Sequence, residues 1–290
     1  MNQIKYPFIF LLVITTLTYS CKSTKTLNSS QNSVIDSLIT TLIQADTVIS
    51  PIVIIEIQDS VELSIHRILK DTLQIIGVGD IMMGTNFPNE GYLPPSEGTH
   101  LLDDVRDILA DADVTFGNLE GVILNEGGTQ KNCNNPKLCY LFRSPETYLN
   151  NLKKAGFDVL STANNHAGDF GDAGRVNTMK VLDSLNFSHA GQLTNPYTTF
   201  MIDGMKYGFA AFSPNTGTVS IHDYNRAKSI VHHLDSISDV VIISFHGGAE
   251  GNKFQNVTRK TETFYGENRG NVYQFSHALI DAGADVIFGH

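Results

Sequence analysis

LQIIGVGD, residues 73–80, decides how the rest of the chain is read. It is a buried-strand run that stops at a carboxylate, and outward from it helical and strand-like segments alternate. Residues 101–110 have helical spacing, and residues 114–116 predict a strand leading into Gly117 and Asn118. Residues 145–154 predict a helix with Pro145 in its first turn. FDVLSTA, residues 157–163, predicts a strand ending at Asn164, Asn165 and His166, with a helix over 172–185 and a short strand at Phe187 after it. Residues 200–205 and 207–212 predict a hairpin with Asp203 and Gly204 at its turn. A helix over 222–236 precedes VVIISF, a strand that ends at His246, and a helix over 271–282 precedes ADVIFG, which ends at His290. This alternation predicts an α/β fold, a parallel or mixed sheet with helices on its faces.

The first 20 residues read as a targeting segment: Lys5 gives a positive start and residues 7–17 an apolar core too short for a membrane span. They lead into LTYSC, a loose lipoprotein signal in which Cys21 is the residue to be lipidated; ordinary secretion with an incidental Cys21 is the alternative. Residues 21–70 then read as a lipid-anchored stalk, rich in Ser, Thr, Asn and Gln over about 22–45, and residues 71–290 as the folded domain. IVIIEI, residues 52–57, is a short β-like run, either an extra edge strand or part of the stalk. The domain is thus expected in the cell envelope, outside the cytoplasm, held at the membrane by lipid. In an oxidising compartment Cys133 and Cys139, six positions apart in KNCNNPKLCYLF, are expected to close a small disulfide loop; a metal pair or two free thiols are the other readings. A formal net charge of −10 argues against a nucleic-acid partner, which needs clustered Lys and Arg, and leaves room for bound cations, an acidic surface that simply keeps the protein soluble being the other reading.

Five predicted strands end in a residue of ligand type: Asp80; Asn118 with Glu120; Asn165 with His166; His246; and His290. Ligands of α/β sheets bind beyond the carboxyl ends of the strands, so these chain-distant groups are expected to converge. Asp, Glu, Asn and His make a mixed oxygen and nitrogen set suited to Mn, Fe, Zn or Mg.

GDIMMG (79–84), GNLEG (117–121), FRSP (142–145), TANNHAGDFG (162–171), SFHGGAE (244–250) and LIDAGADVIFGH (279–290) occur in this order. The series resembles the CapA family, named for poly-gamma-glutamate capsule synthesis and similar to calcineurin-like metallophosphatases. The resemblance implies a four-layer sandwich of mixed sheets flanked by helices, with one or two divalent metal ions at the strand ends. Asp80, Asn165, His246 and His290 would be ligands, Asn118 or Glu120 would stand at the bridging position, and His166 would protonate a leaving group. Arg143 would hold an anionic substrate group, an ordinary surface ion pair being its other reading. Two positions depart from the metallophosphatase pattern: Met82 stands where a histidine is usual, and Asn118-Leu119-Glu120 replaces the bridging aspartate. The family motif continues past His290 with further histidines, so the sequence is expected to be a piece of a longer domain.

His232 and His233 read as a solvated helix face, and Asp103, Asp104 and Asp107 as the outer face of a helix. Asp169 is either an orienting partner of His166 or a turn residue. The function expected is a metal-dependent hydrolase of capsule or poly-gamma-glutamate-type polymer biosynthesis. The alternative is a non-catalytic accessory protein that binds an anionic polymer or capsule-assembly membrane proteins.

Overall fold

A computed structural model describes residues 53–57, 63–67, 72–133 and 139–290. The targeting segment, Cys21 and the stalk up to residue 52 lie outside the described residues. Within the segment read as stalk, β1 (Val53–Ile57) and β2 (Leu63–Arg67) pair antiparallel as a two-stranded sheet of their own.

Two four-stranded sheets carry the domain. The first joins β3 (Ile75–Ile81), β4 (Val114–Leu119), β7 (Val159–Ser161) and β8 (Ser188–Ala190), all parallel. The second has the order β14 (Val286–Gly289), β11 (Val240–Phe245), β10 (Met205–Phe212) and β9 (Tyr197–Ile202), with only the β9–β10 hairpin antiparallel. Its turn is Asp203-Gly204, both at positive φ (48° and 76°), the backbone that a two-residue hairpin turn demands. Short ladders complete the set: β5 (Val122–Ile123) with β6 (Arg143–Ser144), and β12 (Glu262–Phe264) with β13 (Glu267–Gly270).

Three apolar layers separate four layers of structure. Phe116, Val114 and Val159 of the first sheet meet Tyr207, Phe209 and Ile242 of the second in the central layer. Leu149 and Leu152 of α2 (Leu149–Lys154) and Leu182 of α3 (Gly171–Ser184) cover the outer face of the first sheet, with Leu109 of α1 (Arg106–Ala110). Val231 and Leu234 of α4 (Tyr224–Ile237) and Phe275 and Leu279 of α5 (Val272–Ile280) cover the second. This is the expected α/β sandwich. β10 and β11 are buried along nearly their whole length, as parallel strands covered on both faces must be.

Three local expectations change. The helix expected over 101–110 is helical only from Arg106; before it the Asp103 carboxylate takes both His100 and Arg106 and holds a turn. The helix expected from Pro145 begins as a 3-10 turn, Glu146–Tyr148, before α2. Asp80 and Asn118 lie inside β3 and β4, one residue from their ends, instead of beyond them.

Candidate metal centre

A β-bulge aims the first candidate ligand. In β3, Val78 pairs with Gly117 and Asp80 with the next residue, Asn118, leaving Gly79 as an extra residue. Ile76, Val78 and Ile81 pack toward the outer helices. Strict alternation would put Asp80 on that same face, and the extra residue turns it to the opposite one. That face meets the second sheet, where β11 runs into His246 and β14 into His290. Asp80 Oδ1 lies 3.0 Å from His290 Nδ1 and 3.6 Å from His246 Nδ1, and the two imidazole nitrogens are 3.1 Å apart. Among the described residues these three form the one group of His, Cys, Asp and Glu side chains close enough to hold a metal ion.

Neighbours fix the cluster from both sheets. Asn118 donates Nδ2 to Asp80 Oδ1 at 2.7 Å and accepts at 3.0 Å from Asn164 Nδ2, which also donates to the Leu119 carbonyl. Asn118 thus bridges Asp80 and Asn164, its side-chain carbonyl already engaged. Ser244 Oγ lies 2.9 Å from His290 Nε2, so both nitrogens of His290 are oriented.

The charges are out of balance. Burial pushes Asp80 upward, but His246, His290 and Asn118 together outweigh it and hold the carboxyl well below the usual carboxylate range. Burial, and then the neighbouring Asp80 carboxylate, push Glu120 up to about 8, with Glu250 and Asp169 adding to the effect. Burial also lowers His290 below the ordinary imidazole value, against the pull of Asp80.

His166 stands on the other side of Glu120, its Nε2 3.6 Å from Glu120 Oε1. Its Nδ1 is 2.7 Å from Asp169 Oδ2, and Asp169, fully buried, is ion-paired with Lys131. Phe142 stacks on the imidazole at 4.1 Å between ring centres. Asp169 is therefore the orienting partner of His166.

The residues fit a divalent cation. Asn165 Oδ1 and His246 Nε2 are buried with no hydrogen-bond partner among the described residues, and both are donors a cation accepts. Glu120, Asp80 and Glu250 crowd negative charge that a cation would neutralise. Residues 74–290 match the family described as bacterial capsule synthesis protein PGA_cap. The chain belongs to this family. This PGA_cap chain is 25% identical over 240 residues to the capsule biosynthesis protein CapA of Bacillus anthracis, covering 76% of this chain and 54% of that one. It is 27% identical over 237 residues to the PGA biosynthesis protein CapA of Bacillus subtilis strain 168, covering 76% and 57%. The chain therefore spans about half the length of the curated relatives it matches. A hypothetical protein from Thermus thermophilus of known structure aligns at a TM-score of 0.43 and 14% identity, over 75% of this chain and 67% of that one.

Of the residues read from the PGA_cap motifs, the fold joins Asp80, Asn118, His246 and His290 by direct contacts and sets Glu120 and His166 beside them. Arg143 is held by contacts of its own: Nε donates to Asn86 Oδ1 at 2.6 Å, Nη1 donates to the Gly127 carbonyl at 2.8 Å, and the guanidinium lies over Phe170. A disulfide links Cys133 and Cys139. His232 and His233 are exposed on α4, His233 edge-on to Tyr197. Sequence reasoning missed Asn164, Ser244, Lys131 and Phe142. Asn164 lay in view as the first residue of NNH, whereas a serine inside an apolar strand and a lysine in a loop carry no signal of their own.

Proposed function

We propose that this PGA_cap domain is a metal-dependent hydrolase in the biosynthesis of a capsular, poly-gamma-glutamate-type polymer, acting outside the cytoplasm and tethered by lipid at Cys21. The observation that carries the reading is the convergence of Asp80 from one sheet with His246 and His290 from the other. Asp80, His246 and His290 would hold the cation, with Asn165 and Glu120 flanking and Asn118 steering Asp80. One or two such ions (Mn, Fe, Zn or Mg) would supply a Lewis acid and lower the pKa of bound water. His166 has Nδ1 committed to Asp169, so its exchangeable position is Nε2, directed to the Glu120 side of the site, from which a leaving group can be protonated. Arg143 is the proposed contact for an anionic substrate through the part of its guanidinium not engaged by Asn86 and Gly127.

A second reading is favoured by Met82, 42% exposed where metallophosphatases usually place a ligand histidine, and by the occupied amide of Asn118. On that reading the crevice binds an anionic polymer or a capsule-assembly membrane protein without turnover. Elemental analysis of the purified chain separates the two. Near-stoichiometric transition metal, lost in Asp80→Ala and in His246→Ala but kept in His233→Ala, is the expected result. A folded, metal-free protein would transfer the assignment to the binding role, and equal loss in all three variants would defeat the site itself.

A further inference from the structure

Lys131 and Phe142 lie eleven positions apart in sequence, yet both grip the same carboxylate. The Lys131 N–H donates to the Asp169 carbonyl at 2.9 Å, and its ammonium ion-pairs with Asp169 Oδ1 and lies 3.4 Å from His166 Nδ1. The Phe142 N–H donates to Asp169 Oδ2 at 2.7 Å while its ring covers the face of His166. The Cys133–Cys139 disulfide falls between them, two residues after Lys131 and three before Phe142. Without the bridge, holding both stems on Asp169 means closing the whole intervening loop; with it, only the short stems need ordering.

We propose that Lys131 and Phe142 are positioning residues for His166, and that the Cys133–Cys139 disulfide is the brace that keeps both on the Asp169–His166 pair. The orientation of the proton-transferring imidazole then depends on oxidation of two cysteines that do not touch it. This rests on the reading of His166 as the group that handles the proton, and the test reads the imidazole directly, so it stands apart from whether any substrate is turned over.

The test is the Nδ1–H resonance of His166 in the proton NMR spectrum of the whole chain, assigned by its disappearance in His166→Gln. In the oxidised protein this proton is expected to exchange slowly with water. Dithiothreitol transfers two electrons and two protons to the bridge, leaving two thiols and its own cyclic disulfide. Exchange should then quicken at least about ten-fold, the scale of losing one charge-assisted hydrogen bond, with the far-ultraviolet circular dichroism unchanged. Lys131→Ala should do the same with the bridge intact, and Lys131→Arg should restore slow exchange. The Lys131 variants decide the positioning role by themselves; a reduced chain that unfolds would show a bridge holding the whole fold and would overturn its role as a local brace. A resonance unprotected in the oxidised protein, unchanged after both thiols are free, or unchanged in Lys131→Ala would overturn the proposal.

Discussion

At Glu120 the surroundings of the centre raise a carboxyl. Burial and the Asp80 carboxylate push it up to about 8 from an ordinary 4.5. Between those values the folded chain keeps a proton that the unfolded chain has released, so the folded state binds more protons and stability falls as pH rises through the window. Asp80 has the opposite sign: held below its ordinary 3.8, it stabilises the fold above that value and loses the contribution as pH falls further. For chelated protein, urea denaturation at about pH 5 and about pH 8 should show lower stability at the higher pH, and Glu120→Gln should flatten that difference. Identical slopes in both proteins would show that Glu120 does not carry the proton. Glu120→Gln should also weaken cation binding, because the centre loses an anionic oxygen.

At the scale of elements, the approach of β3 to β14 is set by a missing side chain. A Cβ on Gly77 would come within 2.3 Å of Phe288 Cε1, and Phe288 stacks on Phe116 with ring centres 5.3 Å apart. Gly77→Ala must therefore move a ring that lies two residues from His290. Overpacking of this kind destabilises by about 1–3 kcal/mol. Urea denaturation should show that loss, and calorimetric titration with Mn²⁺ should show weaker binding as well. Destabilisation with unchanged affinity would mean that β14 absorbs the shift before it reaches His290. The strands themselves were legible because VVIISF and LQIIGVG carry long apolar runs. The bulge at Gly79 was not, since an extra residue alters which face a side chain takes without altering the apolar pattern. The β12–β13 ladder was hidden for a different reason. TETF and ENRG are polar, and that region is ordered by two buried charged residues: Glu262, accepting from Ala249 and Thr258, and Arg269, donating to the Gly248 carbonyl.

Across the whole molecule, alternation of strand and helix carried the α/β class, the family resemblance carried the four layers, and ligand-type residues at the strand ends supplied the candidates that the fold brings together. What the sequence withheld is the division of labour: one sheet brings Asp80, Asn118, Glu120 and Asn164, the other brings Ser244, His246 and His290. Periodicity assigns residues to a face of their own sheet, but which edges of two sheets come together follows from Phe116, Phe209 and Phe288 packing in the central layer. A cation shared by the two sheets should raise the melting temperature, by mass action on a state only the folded chain offers: about 2.7 kcal/mol at a hundred-fold excess over Kd. Differential scanning calorimetry with and without chelator measures it, and an unchanged midpoint would argue against the centre.

Asp80 and His290 are separated by 210 positions along the chain. A contact of that span closes one of the largest loops in the domain, and loops of that size close late, after the local hairpins and strand pairs have formed. The cation would then grip a geometry absent from the folding transition state. Its effect would then fall on the lifetime of the native protein, with refolding expected to proceed at the same speed in its presence or absence.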